Sequence, residues 1–159
     1  MKKHEYEIRD PIFGFVEFNE WEKEIINSAP FQRLRRIRQL ALTDMVYPGA
    51  LYSRFEHSLG VMHFSALMFD AIVSNSRNKK ILETEMNYRE AGLERDKQMI
   101  RLAALLHDIG HAPFSHASEE IMPTNPKTSN LYQHEDYSAE IINGPLKSII
   151  EDHSKHEYK

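Results

Sequence analysis

The segment RFEHSLGVMHFSALMFDAI, residues 54–72, constrains the fold more than any other part of the sequence. Its apolar residues return at close to helical spacing, at Leu59, Met62, Leu67, Phe69 and Ile72. This periodicity predicts a helix over residues 57–75 that buries one face in a core. The segment begins with three polar residues that do not belong to the apolar face: Arg54, Glu56 and His57.

Short helical segments are predicted before this helix, divided by proline, glycine, asparagine and serine, with no repeat and no linker. Residues 10–18 are expected to form a short extended piece or a turn. Residues 19–40 read as two helices that divide near residues 28–30. A loop is expected over residues 47–55.

Further helices are predicted after the long one. Asp96 is a candidate N-cap for a helix over residues 97–108, and Gly110 is a natural stop for that helix. Pro113 can open another short helix, because proline is well tolerated in a first turn. Residues 132–142 are expected to form the last well-marked helix.

The composition indicates one domain with a real core. With 41% hydrophobic and 28% charged residues, residues 1–159 fit a single all-α domain. The net charge of -4 gives no general attraction to nucleic acid, so a nucleic-acid partner is not expected. No apolar run approaches the roughly 20 residues that span a bilayer, and the N-terminus has no apolar signal core. The sequence therefore predicts a cytoplasmic protein with no membrane partner.

Metal binding is left to histidines and carboxylates, because the chain has 9 histidines and no cysteine. The helices over residues 57–75 and 97–108 are expected to pack antiparallel, since consecutive helices with a compact connection tend to return alongside each other. His57 would then face His107 and Asp108. Two imidazoles and a carboxylate predict a divalent metal site for Zn, Mn, Fe or Mg.

Each of these residues also has a purely structural interpretation. A lone histidine at a helix end is more often a cap or a hydrogen-bonded core group than a ligand. An adjacent His-Asp pair can simply terminate its helix. The segment HDIGHAPFSH favours a site, because it places histidines at positions 107, 111 and 116 around a glycine and a proline. A merely structural turn rarely needs three imidazoles.

Four motifs, in their order along the chain, resemble the HD-domain deoxynucleoside triphosphate triphosphohydrolases: FQRLRRIRQL, YPGA, RFEHSLGV and LLHDIGHAPFSH. The resemblance extends from about residue 10 to residue 142. It implies a helical bundle, a metal ion bound through two histidines and two aspartates, and release of triphosphate from a deoxynucleoside triphosphate.

Three metal ligands follow from this resemblance: His57, His107 and Asp108. The fourth family ligand, an aspartate on a later helix, has no match in the chain. Asp136 and Asp152 are present, but neither lies in the expected motif. The chain therefore resembles the N-terminal part of a family member, and the HD bundle is expected to be incomplete at its C-terminus.

The family places further histidines around the substrate phosphates, and the matching residues are His111, His116 and His134. Hydrolysis at the α-phosphorus needs neutralised phosphate oxygens, an aligned water and a proton for the departing deoxyribose oxygen. His116 is interpreted as the acid or the phosphate-polarising group. Glu119, three residues away on a predicted helix, can orient His116 or His134. Packing alone is the alternative for both histidines.

Substrate contacts are implied for Arg54, which resembles the phosphate-contacting arginine of the family, and for Gln39 and Leu40, which match positions beside the deoxyribose. A surface ion pair with Glu56 is the alternative for Arg54. Without the resemblance, Gln39 would be an ordinary polar helix residue. Solvated helix faces explain most of the nearby arginines: Arg33, Arg35, Arg36 and Arg38.

A regulatory nucleotide is also implied, because some family members bind an activating guanine nucleotide near the positions of Gln32 and Arg35. Relatives commonly oligomerise, so a homo-oligomer is expected. The predicted function is metal-dependent hydrolysis of deoxynucleoside triphosphates to deoxynucleoside and triphosphate, or the N-terminal part of such an enzyme. Two alternatives stay open: an HD phosphohydrolase for another nucleotide phosphoester, and a truncated, non-catalytic module that binds nucleotide or metal.

Overall fold

The computed structural model describes residues 6–151, without the side chains of residues 90 and 91. A β-hairpin precedes the helices; its strands are β1 (Tyr6–Asp10) and β2 (Gly14–Phe18). The helices are α1 (Glu20–Asn27), α2 (Ala29–Gln32), α3 (Arg54–Ser74), α4 (Ser76–Thr84), α5 (Glu90–Leu106), α6 (His134–Asn143) and α7 (Lys147–Glu151). Short 3-10 turns occupy Arg33–Arg36, Thr43–Met45 and Ser115–Ile121. Asp152 and the ends of the predicted domain 1–159 lie outside the described residues.

The helical fold is confirmed, and the extended piece expected over residues 10–18 is the turn and second strand of the hairpin. The strands pair antiparallel, with Asp10 opposite Gly14. The Asp10 carboxylate accepts hydrogen bonds from the main-chain N–H groups of Ile12 and Phe13, at 2.8 and 2.9 Å. Gly14 has a φ of +81°, a conformation that glycine adopts at little cost. The turn therefore depends on this aspartate and this glycine.

The polar start of the long helix is explained by its capping. Helix α3 begins at Arg54, three residues earlier than predicted, after Ser53 as N-cap. The Ser53 side chain accepts from the main-chain N–H of Glu56, and the Glu56 carboxylate accepts from the N–H of Ser53 at 2.6 Å. This capping box satisfies N–H groups that a helix start leaves free. Arg54 and His57 consequently lie in the first helical turn.

The antiparallel packing of α3 and α5 is confirmed. Near one end of the pair, Lys97 Nζ lies 2.7 Å from a carboxylate oxygen of Asp70. At the other end, the rings of His57 and His107 lie 5.3 Å apart. The contacts run in opposite sequence directions along the two helices, so the start of α3 lies beside the end of α5.

Asp96 is not the N-cap of α5, and this prediction is wrong. The helix begins at Glu90, so Asp96 lies within it, where the main-chain N–H groups already have helical partners and need no cap. Part of the charged connection expected before Asp96 is also helical, as α4.

The second helix expected within residues 19–40 is shorter than predicted. After α2 the chain tightens into a 3-10 turn and becomes extended at Ile37. Main-chain hydrogen bonds to a distant segment take over there, from Gln39 N–H to Tyr52 at 3.0 Å and from Arg54 N–H to Ile37 at 2.8 Å. Tertiary pairing therefore outweighs the helical preference of this stretch.

The core lies between the hairpin, α1, α3 and α5, and contains fully buried side chains of Val16, Ile25, Phe31, Met62 and Leu105. A buried ion pair crosses it, in which Glu22 accepts two hydrogen bonds from the Arg101 guanidinium, at 2.6 and 2.8 Å.

None of the helices described between residues 6 and 151 is long and apolar enough to cross a bilayer.

Candidate metal centre and catalytic pocket

The predicted metal triad converges at the paired ends of α3 and α5. His57 comes from the first turn of α3, and His107 and Asp108 follow the last turn of α5. His57 Nε2 lies 3.6 Å from Asp108 Oδ2, and His107 Nε2 lies 3.3 Å from Asp108 Oδ1. One donor atom from each residue falls within 4.8 Å of the other two. Small side-chain adjustments would bring this set onto one metal ion.

The orientation of the His107 ring fits a metal ligand. Its Nδ1 lies 2.7 Å from the carbonyl oxygen of Ala104. A carbonyl can only accept, so Nδ1 carries the proton and Nε2 presents its lone pair toward Asp108. A hydrogen bond to the second ring nitrogen is the arrangement that fixes metal-binding histidines in proteins. The donor set of two imidazoles and one carboxylate therefore fits a divalent metal such as Zn, Mn or Fe.

The protonation states of Asp108 and His57 also favour metal binding. Burial alone would raise the pKa of Asp108, but the contacts of its carboxylate with His107, His111 and the Arg54 guanidinium outweigh it and hold the pKa well below the usual range. Burial lowers the pKa of His57. The neighbouring Asp108 carboxylate, which stabilises the protonated ring, raises the pKa of His107. At neutral pH the site therefore holds an ionised carboxylate and a neutral imidazole at His57.

Arg54 lies inside the protein, so the surface ion pair with Glu56 is not formed. The Arg54 side chain is only 2% exposed. Its Nη1 donates to Asp108 Oδ2 at 2.5 Å, and its Nε donates to the Ser115 hydroxyl at 3.2 Å. Arg54 therefore orients the Asp108 carboxylate from the side opposite His107. Its contact with a substrate phosphate stays a prediction.

A second group of ionisable residues adjoins the triad and is called the histidine cluster: His111, His116, Glu119 and His134. His111 follows the HD pair in the same turn, the next two lie in the 3-10 turn, and His134 opens α6. The two groups are neighbours, because His111 Nε2 lies 3.4 Å from Asp108 Oδ1.

The Glu119 carboxylate contacts both of the histidines that the sequence offered as its alternatives. One oxygen lies 3.2 Å from His116 Nδ1, and the other lies 2.7 Å from His134 Nδ1. Burial opposes ionisation, but hydrogen bonds from His134 and His116 lower the pKa of Glu119 to about 2. The carboxylate is thus ionised and fixes the orientation of two imidazole rings.

His111 forms the inner wall of the histidine cluster. Its side chain is 1% exposed, and its ring stacks on that of His134 at 3.7 Å between centroids. The His116 ring is nearly perpendicular to the His111 ring, at 87°. Burial lowers the pKa of His111, so its neutral form is favoured.

The turn over residues 107–111, which joins the triad to the histidine cluster and is called the HD turn, is held from two sides by contacts that the sequence did not predict. On one side Arg33 donates to the carbonyl oxygens of His111 and Ile109, at 2.7 and 2.6 Å. Arg33 is thus not a solvated helix residue, and burial lowers its pKa. On the other side the Ser138 hydroxyl accepts from the N–H of Gly110 at 2.9 Å. No local pattern reveals such contacts, because they join residues 28 or more positions apart.

Gly110 was predicted as a helix stop, and the structure gives a different reason for glycine at this position. Helix α5 ends four residues earlier, and Gly14 is the glycine with positive φ in the described chain. A Cβ at Gly110 would lie 2.1 Å from the carbonyl oxygen of His134 and 2.4 Å from the nitrogen of Ser138. Glycine therefore allows the HD turn to pack directly against the start of α6.

The other predicted residues lie at the edge of the site. Gln39 lies in a turn, its carbonyl oxygen accepts from the Ser115 hydroxyl at 3.3 Å, and its side-chain oxygen is buried without a hydrogen-bond partner among residues 6–151. Leu40 is 43% exposed. Arg35 lies over the Phe55 ring at 3.5 Å and donates to the Gln32 side chain at 2.8 Å. Gln32 is half-buried and Arg35 is exposed.

Asp136 is committed elsewhere and does not join the triad. Its carboxylate accepts from the main-chain N–H of Gln133 at 3.0 Å, which caps α6, and from the Asn125 side chain at 3.2 Å.

A largely apolar groove of about 790 Å³ opens beside the triad, and His107, Leu106 and Glu135 are part of its lining.

A histidine at the start of one helix and a His-Asp pair at the end of its antiparallel neighbour define a helical HD-type metal-binding domain. The HD domain family model matches residues 54–157, and the chain belongs to this family.

Within this family, the chain is similar to deoxynucleoside triphosphate triphosphohydrolases. A protein of Dictyostelium discoideum named deoxynucleoside triphosphate triphosphohydrolase SAMHD1 homolog is 37% identical over 151 residues, which cover 95% of this chain and 26% of that protein. The SAMHD1 triphosphohydrolase of Mus musculus is 36% identical over 133 residues, which cover 84% of this chain and 18% of that protein.

The fold has a counterpart among solved structures. The crystal structure of a hypothetical protein from Aquifex aeolicus superposes with a TM-score of 0.70 at 34% identity, and covers 96% of this chain and 34% of that chain. This chain therefore spans about a third or less of the length of the relatives it matches.

Proposed function

We propose that this chain hydrolyses deoxynucleoside triphosphates to deoxynucleoside and triphosphate, as a single HD domain over residues 1–159 or as the N-terminal part of a longer enzyme. The observation that supports the proposal best is that two groups of side chains meet at Asp108. One is the triad, whose donor atoms could hold a metal ion, and the other is the histidine cluster, in which His111 Nε2 lies 3.4 Å from Asp108 Oδ1. The names of the relatives support the substrate class.

The metal ion would be held by His57, His107 and Asp108. A bound divalent ion supplies positive charge next to the phosphate and lowers the pKa of a bound water. Arg54 keeps Asp108 ionised and oriented, because its guanidinium donates to the carboxylate at 2.5 Å. The Ala104 carbonyl keeps the His107 proton on Nδ1.

The histidine cluster would bind the phosphates and deliver a proton. In hydrolysis, the oxygen of water forms a bond to the α-phosphorus while the bond from phosphorus to the deoxyribose oxygen breaks. Protonated His116 donates a proton to the departing oxygen, the attacking water releases a proton to solvent, and His116 takes a proton back from solvent before the next turnover. The ionised Glu119 carboxylate lies 3.2 Å from His116 Nδ1 and would orient the His116 ring for this transfer. His111 and His134 contact phosphate oxygens.

Selection of deoxyribose is assigned to Gln39 and Leu40. The Gln39 carbonyl is tied to the site through Ser115, whose hydroxyl also accepts from Arg54 at 3.2 Å. This contact fixes the main chain at Gln39, and the proposed selection depends on close packing of the Gln39 and Leu40 side chains against the sugar, which would exclude an added hydroxyl. For the whole protein we further propose a homo-oligomer and a regulatory nucleotide near Gln32 and Arg35. Sedimentation with and without guanine nucleotide tests both.

The proposed function is tested by release of triphosphate from the four deoxynucleoside triphosphates and the matching ribonucleotides, with metal content measured on the same samples. His107→Ala is expected to lose bound metal and hydrolysis together. His63→Ala is a matched control, because His63 lies in α3 but packs against the Phe13 ring, 5.1 Å away between centroids, outside both groups. Hydrolysis that survives in His107→Ala contradicts the proposal.

The assay also separates the alternatives. Release of monophosphate or diphosphate, or turnover of another phosphoester alone, identifies a different HD phosphohydrolase. Bound metal or nucleotide with no turnover in the full-length protein identifies a binding module.

A further inference from the structure

The histidine cluster has the donor set of a metal site in its own right. His111, His116, His134 and Glu119 each offer one donor atom, and these atoms lie within 4.8 Å of one another. The set has three imidazole nitrogens and one carboxylate oxygen. Borderline metals such as Zn²⁺ favour this combination, whereas Mg²⁺ and Ca²⁺ favour sites made of oxygen.

The unpaired ring of His111 is an independent sign of a ligand. This side chain is 1% exposed, its Nδ1 has no hydrogen-bond partner among residues 6–151, and its Nε2 has only the Asp108 carboxylate oxygen at 3.4 Å, without the geometry of a hydrogen bond. Buried polar groups are nearly always paired, because an unpaired one loses its hydration without compensation. The His111 ring stacks on that of His134, so the unpaired nitrogen of His111 lies beside the other donor atoms of the cluster. A bound metal ion would satisfy one of its nitrogens.

We propose that the histidine cluster binds a second transition-metal ion of the Zn²⁺ type, distinct from the ion of the triad, and that this ion inhibits hydrolysis. Inhibition rests on the proposed function, whereas binding does not. The ion takes the imidazole lone pairs by which the cluster would carry a proton, and it occupies the space in which imidazole N–H groups would donate to phosphate oxygens. The pocket cannot then deliver a proton to the departing oxygen.

The geometry requires one ring to turn. The rings of His111 and His134 are nearly parallel, at 13°, so their in-plane lone pairs do not converge. The His116 ring is steeply inclined to that of His134, at 76°, and its side chain is 68% exposed. His116 can therefore approach an ion held by His134 and Glu119. Because the His116 side chain is exposed, a metal ion can reach the cluster from solvent on this side. His111 or His134 must turn out of the stack before the three imidazole lone pairs converge on one ion, so we expect metal binding here to be slower than at the triad.

Metal stoichiometry tests the proposal without any activity measurement. The metal-free protein is titrated with Co²⁺, whose visible spectrum reports nitrogen coordination, and with Zn²⁺, followed by elemental analysis. The wild-type chain is expected to bind two equivalents, and His107→Ala and His116→Ala are each expected to bind one. Mg²⁺ is expected not to compete for the equivalent that His116→Ala loses.

Two further variants keep the result independent of folding. Glu119→Gln keeps an amide oxygen beside both rings but removes the charge, so the second equivalent should weaken while the first is unchanged. His63→Ala should retain both equivalents. A single equivalent in the wild-type protein, or a second one that persists in His116→Ala, overturns the proposal.

Inhibition is tested by titrating further Zn²⁺ into protein that already holds one equivalent of Zn²⁺ at the triad, during triphosphate release, so that no other metal can be displaced there. Hydrolysis should fall as the second equivalent fills, and a chelator that removes only this equivalent should restore it. Full activity with two equivalents bound would overturn the inhibitory part. If no nucleotide is hydrolysed under any condition, the proposed function fails, and the binding result stands or falls by the stoichiometry alone.

Discussion

Gly110→Ala is expected to disrupt the site without touching a ligand. The added Cβ would lie 2.1 Å from the His134 carbonyl oxygen and 2.4 Å from the Ser138 nitrogen. Ordinary contacts of carbon begin above 3 Å, so α6 must move by about 1 Å relative to the HD turn. Overpacking of this kind costs about 1–3 kcal/mol, and weakening of the bond from Gly110 N–H to the Ser138 hydroxyl adds about 1 kcal/mol. We expect a loss of about 2–4 kcal/mol in the free energy of unfolding.

Urea unfolding of the wild type and the variant measures this loss, and Gly92→Ala is the matched control. Gly92 lies within α5, where an added Cβ would meet the Tyr88 ring at an ordinary 3.6 Å. Alanine is favoured over glycine inside a helix, so this control should gain about 0.5–1 kcal/mol. Triphosphate release should fall in Gly110→Ala and not in Gly92→Ala. If Gly110→Ala unfolds at the wild-type urea concentration, the close packing against α6 is refuted.

Three more outcomes follow from the charges. Glu22→Gln leaves the buried Arg101 charge uncompensated and should cost about 3–5 kcal/mol in urea unfolding, whereas replacing both residues with apolar ones should cost much less. Arg33→Met should cost about 2 kcal/mol and weaken Co²⁺ binding at the triad, with Arg33→Lys intermediate, since lysine cannot reach both carbonyls at once; equal Co²⁺ affinity would contradict this. The Glu119 pKa lies at about 2, below its ordinary 4.5. Its stabilisation is therefore full above about pH 4.5 and lost as the pH falls toward 2. The difference in unfolding free energy between wild type and Glu119→Gln should shrink over that range, and a constant difference would contradict the pKa.

The sequence predicted the convergence of the triad because it depends on a general rule. Neighbouring helices of a bundle tend to pack antiparallel, and although α4 lies between them in the chain, α5 returns along α3 and brings His107 beside His57. The motif spacing also placed His116 three residues from Glu119, and the structure brings these two side chains into contact.

Other features could not be read from the sequence, because long-range contacts decide them. Asp96 looks like a cap, but the helix starts six residues earlier and needs none. Arg33 looks like a surface residue, but it contacts main-chain carbonyls that are 76 and 78 positions away. Arg54 appeared able to pair with Glu56, yet Glu56 is used in the cap of α3, and the guanidinium turns inward to Asp108.

The most direct test of the account is the product released from a deoxynucleoside triphosphate by the wild-type protein and by His107→Ala, each assayed with added Mn²⁺. The account predicts intact triphosphate and free deoxynucleoside from the wild type, and neither from the variant. Equal release by both proteins, or release of monophosphate or diphosphate in place of triphosphate, would contradict it.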